Sequence, residues 1–288
     1  MSGAPILFDR SLLAAHRSRA RRMATPGADF LLARASEDLI DRLATVKRHF
    51  GQAAIIDALT PDLAARLIAS GQVGTIVRPD TDDGLAAEVL DLAPASIDLA
   101  VSALALQWVN DLPGLMVQIR RALKPDGLLL AIVVGGDTLT ELRTVLTTAE
   151  SEIRGGAAPR VAPFADIRDM GGLLQRAGFA LPVIDTDRLI VRYDTIFHLM
   201  RDLRAMGATS ALAARDPRPL TRAILARAAA LYAERYADPD GRIRATFELI
   251  SISGWAPHES QPKPLKPGSA TMRLEDALKA VKGSNEPK

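Results

Sequence analysis

The chain is 288 residues long, 48% hydrophobic and 24% charged, with 36 Lys+Arg against 34 Asp+Glu and a net charge of +2. That length buries the core of one α/β domain with an insertion, and the near-balance of charge argues against a nucleic-acid partner in spite of a sequence pI of about 9.0. The absence of cysteine excludes disulfides, thiolate zinc sites, iron–sulfur clusters and a Cys nucleophile; no apolar run reaches the length of a membrane span and no signal-peptide core is visible, which predicts a cytoplasmic protein.

The first 22 residues hold five arginines (Arg10, Arg17, Arg19, Arg21, Arg22) and one acid, Asp9. An Arg-rich, acid-poor start suits a transit peptide or a basic arm for an acidic surface or a membrane face. The plainest reading is a solvated helix whose Leu12, Leu13 and Ala20 touch the domain. Leu32, Ala35, Leu39, Leu43, Val46 and Phe50 recur every three to four positions and predict an amphipathic helix within 28–50. A short strand follows at 53–57. Thr60-Pro61-Asp62 restarts a helix, with Thr60 as N-cap and Pro61 at the first helical position; its apolar face is Leu63, Leu67 and Ile68. Residues 73–77 form a second strand, ended by Arg78-Pro79-Asp80, and 85–90 a weak helix.

The run 97–105 is apolar throughout, the mark of a strand buried on both faces. A helix at 112–123, a turn at Lys124-Pro125-Asp126-Gly127 and a second buried strand at 128–134 come next, then Gly135-Gly136. Helices are predicted at 138–153 and 167–177, the latter closed by Gly178, and strands at 179–184 and 189–193. Helical blocks cover 194–207 and 217–236, and 244–253 is a last strand. Pro257, Pro262, Pro264 and Pro267 keep the following stretch extended, with a short helix at 274–281. Strands alternating with helices mean βαβ units and a mainly parallel sheet. The expected organisation is a basic arm and helix at 1–50, an α/β core at 51–193, a helical insertion serving as lid or partner surface at 194–240, a last core strand at 241–256 and a Pro-rich arm at 257–288.

Leu123-Lys124-Pro125-Asp126-Gly127 and Leu173-Leu174-Gln175-Arg176-Ala177-Gly178-Phe179 resemble the corresponding joins of class I S-adenosylmethionine-dependent methyltransferases. A narrower set is similar to one subfamily: Phe8-Asp9-Arg10, Gln107-Trp108-Val109-Asn110-Asp111-Leu112-Pro113, Gly135-Gly136-Asp137-Thr138-Leu139, Glu141-Leu142-Arg143, Gly254-Trp255, His258-Glu259-Ser260-Gln261 and Pro267-Gly268-Ser269-Ala270. This is the methyltransferase-like assembly-factor family of respiratory complex I, whose mitochondrial member hydroxylates an arginine of a complex I subunit. The resemblance runs from residue 8 to about 275. It implies a Rossmann-like class I methyltransferase fold, mainly parallel with one antiparallel strand, S-adenosylmethionine as cofactor, and a protein partner, a complex I subunit. It also implies a place in the cytoplasm beside the inner membrane, or a mitochondrial matrix origin.

Two departures stand out. Where the family carries glycines after the first strand, the chain reads Asp57-Ala58-Leu59-Thr60-Pro61, and glycine there lets the backbone approach the cofactor without a Cβ clash. The stretch between Asp57 and Asp98 is also too short for two more strands with their helices, which predicts a core shortened between the first and fourth family strands. The cofactor positions that the resemblance implies are Asp57, Ala58, Asp80, Asp91, Ala103 and Leu104, with Asp80 for the ribose hydroxyls and Asp91 for the adenine. Gln107 stands where the family has His.

Gln107, Trp108, Asn110 and Asp111 follow the 97–105 strand at the sheet edge where ligands bind in open α/β folds; Asn110 is equally placed to cap the next helix and Trp108 to fill core. Gly135, Gly136, Asp137 and Glu141 follow the next strand at the same edge, where Asp137 also suits a helix N-cap and Glu141 its first turn. The four histidines, His16, His49, His198 and His258, are scattered without metal-ligand spacing. No catalytic residue and no metal ligand is assigned. The leading functional expectation is a factor acting on a protein partner in complex I assembly, by arginine hydroxylation, with altered S-adenosylmethionine binding. The alternatives are a methyltransferase of a small or carrier-bound substrate and a scaffold that kept the fold without catalysis.

Overall fold

The computed structural model describes residues 6–57, 59–79 and 88–262. Met1–Pro257 form one compact unit and His258–Lys288 a second. In the described part of the second unit, His258 Nδ1 lies 2.7 Å from the Ser260 hydroxyl.

The first unit opens with α1 (Arg10–Met23) and α2 (Phe30–Thr45), then β1 (Phe50–Ile55), α3 (Asp62–Ala69) and β2 (Val73–Val77). The central segment is β3 (Ile97–Ala103), a single 3₁₀ turn (Leu106–Trp108), α4 (Leu112–Ala122), β4 (Leu123–Val134), α5 (Thr140–Arg154) and α6 (Ile167–Arg176). It ends with β5 (Ala180–Tyr193), α7 (Ile196–Ala205), α8 (Arg222–Tyr236) and β6 (Ile243–Trp255). The strands form one sheet in the order β2-β1-β3-β4-β6-β5. The pairs β1–β2, β1–β3 and β3–β4 are parallel, and β6 runs antiparallel to both β4 and β5. Among the described residues only β2 lies between β1 and β3 in sequence, so the sheet is the shortened Rossmann-like one that the residue count required.

Side-chain alternation splits the core in two. Ala53, Ile55, Leu99, Val101, Leu130 and Ile132 pack on the face covered by α2, α5, α7 and α8. Ala54, Ile56, Ala100, Leu129, Ala131 and Val133 face α4 and α6. With helices on both faces, β3 and β4 read as continuous apolar runs, as parallel central strands do.

Several boundaries differ from the sequence reading for identifiable reasons. Phe50 keeps the helical spacing but opens β1: it is fully buried and its N–H donates to the Gln72 carbonyl at 2.7 Å. Pro61 rather than Thr60 occupies the N-cap of α3, and no side chain caps that end. The Lys124–Gly127 turn lies inside β4, where the pairing with β3 jumps from Ile97↔Leu123 to Leu99↔Leu128 and Asp126 takes φ +62°. The two short strands expected at 179–184 and 189–193 are one strand. The charged stretch between them stays extended because β5 is an edge strand with one face in water, and its charges are paired. Asp185 meets Arg42 at 2.9 Å, Asp187 meets Arg34 at 3.2 Å, and Arg188 meets Asp137. Of the weak helix expected at 85–90, residues 85–87 lie outside the described residues and 88–90 are not helical, with Glu88 at φ +52°; the helix expected at 274–281 lies outside the described residues.

Candidate functional site

Three parallel strands, β1, β3 and β4, deliver their C-terminal ends to one side of the sheet, where the chain must turn away. Ser102 ties two of them together by donating to the Ile56 carbonyl at 3.0 Å. Beyond β1 the chain turns through Asp57 at φ +53°, a left-handed conformation costly for a residue with a Cβ but tolerated by Asp. The Asp57 carboxylate is 4% exposed, and both its oxygens lie 2.9 Å from Nη1 of Arg17 on α1. Beyond β3, Leu104 also takes a left-handed turn, at φ +51°, held by its N–H on the Ile132 carbonyl at 2.8 Å. Gln107 in the following turn donates through Nε2 to the Leu104 carbonyl at 2.8 Å.

Helix α1 and the segment before it form a roof over these strand ends. Asp9 caps α1 by accepting the Leu12 N–H at 3.0 Å, and the Ser11 hydroxyl and that N–H hold its carboxyl below the ordinary aspartate range. Asn110 accepts the N–H groups of Leu7 and Phe8 at 2.8 and 2.7 Å and donates to the Phe8 carbonyl at 3.2 Å. Arg10 donates to the Trp108 carbonyl at 2.8 Å. The Phe8 and Trp108 rings meet edge to face at 5.3 Å, and Trp108 meets Phe164 likewise at 6.5 Å. On the far side Phe8 pairs with Leu212, and the buried His16 stands 2.9 Å from the Thr209 hydroxyl. Burial and the neighbouring Arg19 push the His16 pKa down.

Under the roof is a cavity of about 440 Å³. Leu59 and Thr60 enter it from β1, Leu104 and Gln107 from β3, and Val134 and Thr138 from β4. Arg17, the α1–α2 connection and the end of α7 close it, and the lining is mostly apolar. Two of the lining residues carry a polar atom shut off from solvent and without a hydrogen-bond partner among the described residues, Arg17 Nη2 and Gln107 Oε1. A second cavity of about 450 Å³ adjoins it beyond Trp108 and Phe164.

The residues singled out in the sequence go to different places. Leu104, Gln107 and Trp108 line the first cavity, and Asp57 stands at its edge through Arg17. Ala103 is buried in the core at the end of β3. Asn110 clasps the N-terminal segment and Asp111 caps α4 by accepting the Gly114 N–H at 2.9 Å. Gly135 lies against Glu248, whose carboxylate occupies the space a Cβ needs; Gly136 borders the 164–165 backbone. Asp137 pairs with Arg188, and the buried Glu141 accepts the N–H and hydroxyl of Thr246 at 3.1 and 2.5 Å. Asp91 is exposed and away from the cavity, and Ala58 and Asp80 lie outside the described residues. Among the described residues no group of three or more His, Asp or Glu is placed to hold a metal, and no helix is long and apolar enough to cross a membrane.

Two residues of the site escaped the sequence reading. Arg17 was one of five arginines; the signal that separates it is that Leu13, His16, Arg17 and Ala20 share one helical face. Glu88, whose carboxylate accepts the N–H groups of Asn110 and Asp111 at 2.7 Å each, carries no pattern that would reveal it.

The sheet order, the site at the parallel strand ends and a methyltransferase-domain match over residues 53–131 define a Rossmann-like methyltransferase fold. The YcgJ protein of Bacillus subtilis superposes with a TM-score of 0.53 at 13% identity, over 77% of this chain and 99% of that one. The arginine-hydroxylase NDUFAF5, mitochondrial, of Danio rerio is 35% identical over 292 residues, 96% of this chain and 91% of its own. The chain belongs to the arginine-hydroxylase NDUFAF5 family. The malonyl-[acyl-carrier protein] O-methyltransferase of Laribacter hongkongensis is 40% identical, but over 59% of this chain and 54% of its own.

Proposed function

We propose that this protein acts on a protein partner, a subunit of respiratory complex I, during assembly, and that it hydroxylates an arginine there. The observation that carries this reading is the extent of the similarity. The methyltransferase-domain match stops at residue 131, whereas the likeness to the arginine hydroxylase covers 96% of the chain, including the α7–α8 insertion and β6. The insertion at 194–240 is the surface we assign to the partner.

The residues at the strand ends do not fit S-adenosylmethionine. The loop after β1 has no glycine, Leu59 stands in the cavity wall, and the Asp57 carboxylate is engaged by Arg17. This favours a scaffold without the methyl donor as the second reading and counts against methyl transfer to an acyl-carrier substrate.

Deleting the gene and complementing it tests the proposal. Complex I activity falls on deletion and returns with the wild-type protein, and one subunit arginine gains one oxygen by peptide mass spectrometry only when the protein is present. Unchanged complex I in the deletion strain refutes the assembly role. Restored complex I with an unmodified arginine leaves the scaffold.

A further inference from the structure

The second cavity, beyond Trp108 and Phe164, lies against the insertion assigned to the partner. Leu142 and Leu146 of α5, Met200 of α7 and Leu220 before α8 give it apolar walls. Its volume of about 450 Å³ is in the range of binding pockets and leaves room for a large apolar side chain. The charge at its border is of one sign. Arg160, Arg201 and Arg204 line the cavity, and no Asp or Glu does.

Arg160 is neutralised within the fold, by Glu150 at 2.5 Å and Asp216 at 3.5 Å. Arg201 and Arg204 are not. Both are exposed, and neither guanidinium has a hydrogen bond or an ion pair among the described residues. Asp202, between them in sequence, acts on Tyr193 instead. The positive field continues onto α1, where Arg19 and Arg22 bond only hydroxyls, of Thr209 at 3.2 Å and Ser18 at 2.8 Å. Burial first, then Arg204 and Arg22, push the Arg19 pKa down, so these guanidinium groups lie within range of one another. Four cations without an acid partner among the described residues thus stand on two helices beside one apolar cavity, a field that attracts an anionic partner. A single small anion meets only part of it, whereas a chain carrying acids on both sides of an apolar anchor meets the cavity and the cations together. A lipid surface reads protruding apolar side chains, and the apolar surface that Arg201 and Arg204 border is a recess.

We infer that the second cavity is the docking point for the protein partner, and that it takes an apolar side chain flanked by carboxylates on an acidic segment of that partner. The apolar anchor lies against Leu142, Leu146, Met200 and Leu220, and the carboxylates meet Arg201 and Arg204, with Arg19 and Arg22 beyond. Trp108, Phe164 and Leu203 line both cavities, so a segment anchored here lies one wall away from the strand ends. The inference rests on the proposed action on a protein partner.

Fluorescence anisotropy of the full-length protein with three labelled peptides tests it: DDLFDD, its serine-for-aspartate analogue SSLFSS and its alanine-for-apolar analogue DDAADD. The first binds best. DDAADD is weaker by at least about tenfold, because the anchor is lost, and SSLFSS is weaker in about 0.05 M salt but not in about 0.5 M, where exposed charges are screened. Arg201→Ser combined with Arg204→Ser weakens DDLFDD about three- to thirtyfold and leaves SSLFSS unchanged. Both arginines are exposed, so the fold is kept; Arg121→Ser combined with Arg176→Ser, on α4 and α6 across the sheet, changes nothing. The inference is overturned if DDLFDD fails to bind the folded protein up to millimolar concentration, or if DDAADD binds as well as DDLFDD. It is also overturned if the two double variants weaken DDLFDD equally. Binding to phosphatidylglycerol–phosphatidylcholine vesicles that is lost in the Arg201/Arg204 variant, with no peptide bound, overturns it in favour of a membrane face. The oxygen gained by the subunit arginine is a separate readout, so this docking point can fail while the functional proposal holds.

Discussion

Replacing Asn110 by alanine cuts the clasp that holds the N-terminal segment down. The wild-type amide makes three bonds, to the N–H groups of Leu7 and Phe8 and to the Phe8 carbonyl. Water replaces the one at exposed Leu7 at little cost. The two at buried Phe8 are worth about 1 kcal/mol each net, so opening of the segment becomes easier by about 2 kcal/mol. That is about a thirtyfold rise in the open population. Phe8 keeps its contact with Trp108, so the segment loosens without detaching. The assay is amide hydrogen exchange at Asp9 and Ala213, which donate to Ala211 and Leu7 at 2.8 and 2.9 Å in the closed state. Both should exchange about thirtyfold faster, while amides of β3 keep their wild-type protection. Unchanged exchange at Asp9 and Ala213, or a fall shared equally by β3, refutes the clasp.

Other consequences follow from the same geometry. Glu150 is buried between Arg160 at 2.5 Å and Arg154 at 2.8 Å. The Arg160 bond is the main cause holding its carboxyl below the ordinary glutamate range. Its stabilisation is therefore complete above the unfolded-state value, about pH 4.3, and is lost as pH falls through the lower folded-state value; acid titration of urea unfolding should show Glu150→Gln with a flatter slope in that window. His16 is neutral in the fold because burial and Arg19 lower its pKa, so its contribution is present above about pH 6.5 and declines as pH falls below it. The protection factors of α1 amides, corrected for the intrinsic exchange rate at each pH, should fall between about pH 6.5 and 5, and do so less in His16→Gln. Gly135→Ala forces the Glu248 carboxylate aside and breaks its 3.0 Å bond to the Asp137 N–H, which should lower stability by about 1–2 kcal/mol in chemical denaturation. A wild-type midpoint in that variant shows the space to be soft.

The fold was readable where physics is local. Val73–Val77 and the buried strand from Ile97 were visible because an apolar run between turn signals has few other uses. That only β2 stands between β1 and β3 among the described residues was visible as missing length. What sequence could not resolve was non-local. Phe50 matched a helical period by chance, and its role was decided by Gln72 across the sheet. β5 was split because Asp185 to Arg188 looks like a loop, until Arg42, Arg34 and Asp137 supply opposite charges. At the site, position along the chain identified the right sheet edge but not which way each side chain turns. Asn110 and Gln107 are three residues apart, yet one clasps the roof and the other lines the cavity. Arg17 was invisible as a partner of Asp57 because 40 positions separate them.

The roof also sets an order of events during synthesis. Asp9 is bonded to Arg215, 206 positions later, and Phe8 waits for Leu212. The segment that leaves the ribosome first thus finds its far-side partners late, on the order of 10–40 s later at ordinary elongation rates. β6 follows still later and must enter between β4 and β5. Through that interval the ends of β1, β3 and β4 exist without their cover, so the cavity is among the last parts of the molecule to be enclosed, and whatever fills it can enter before the door is hung.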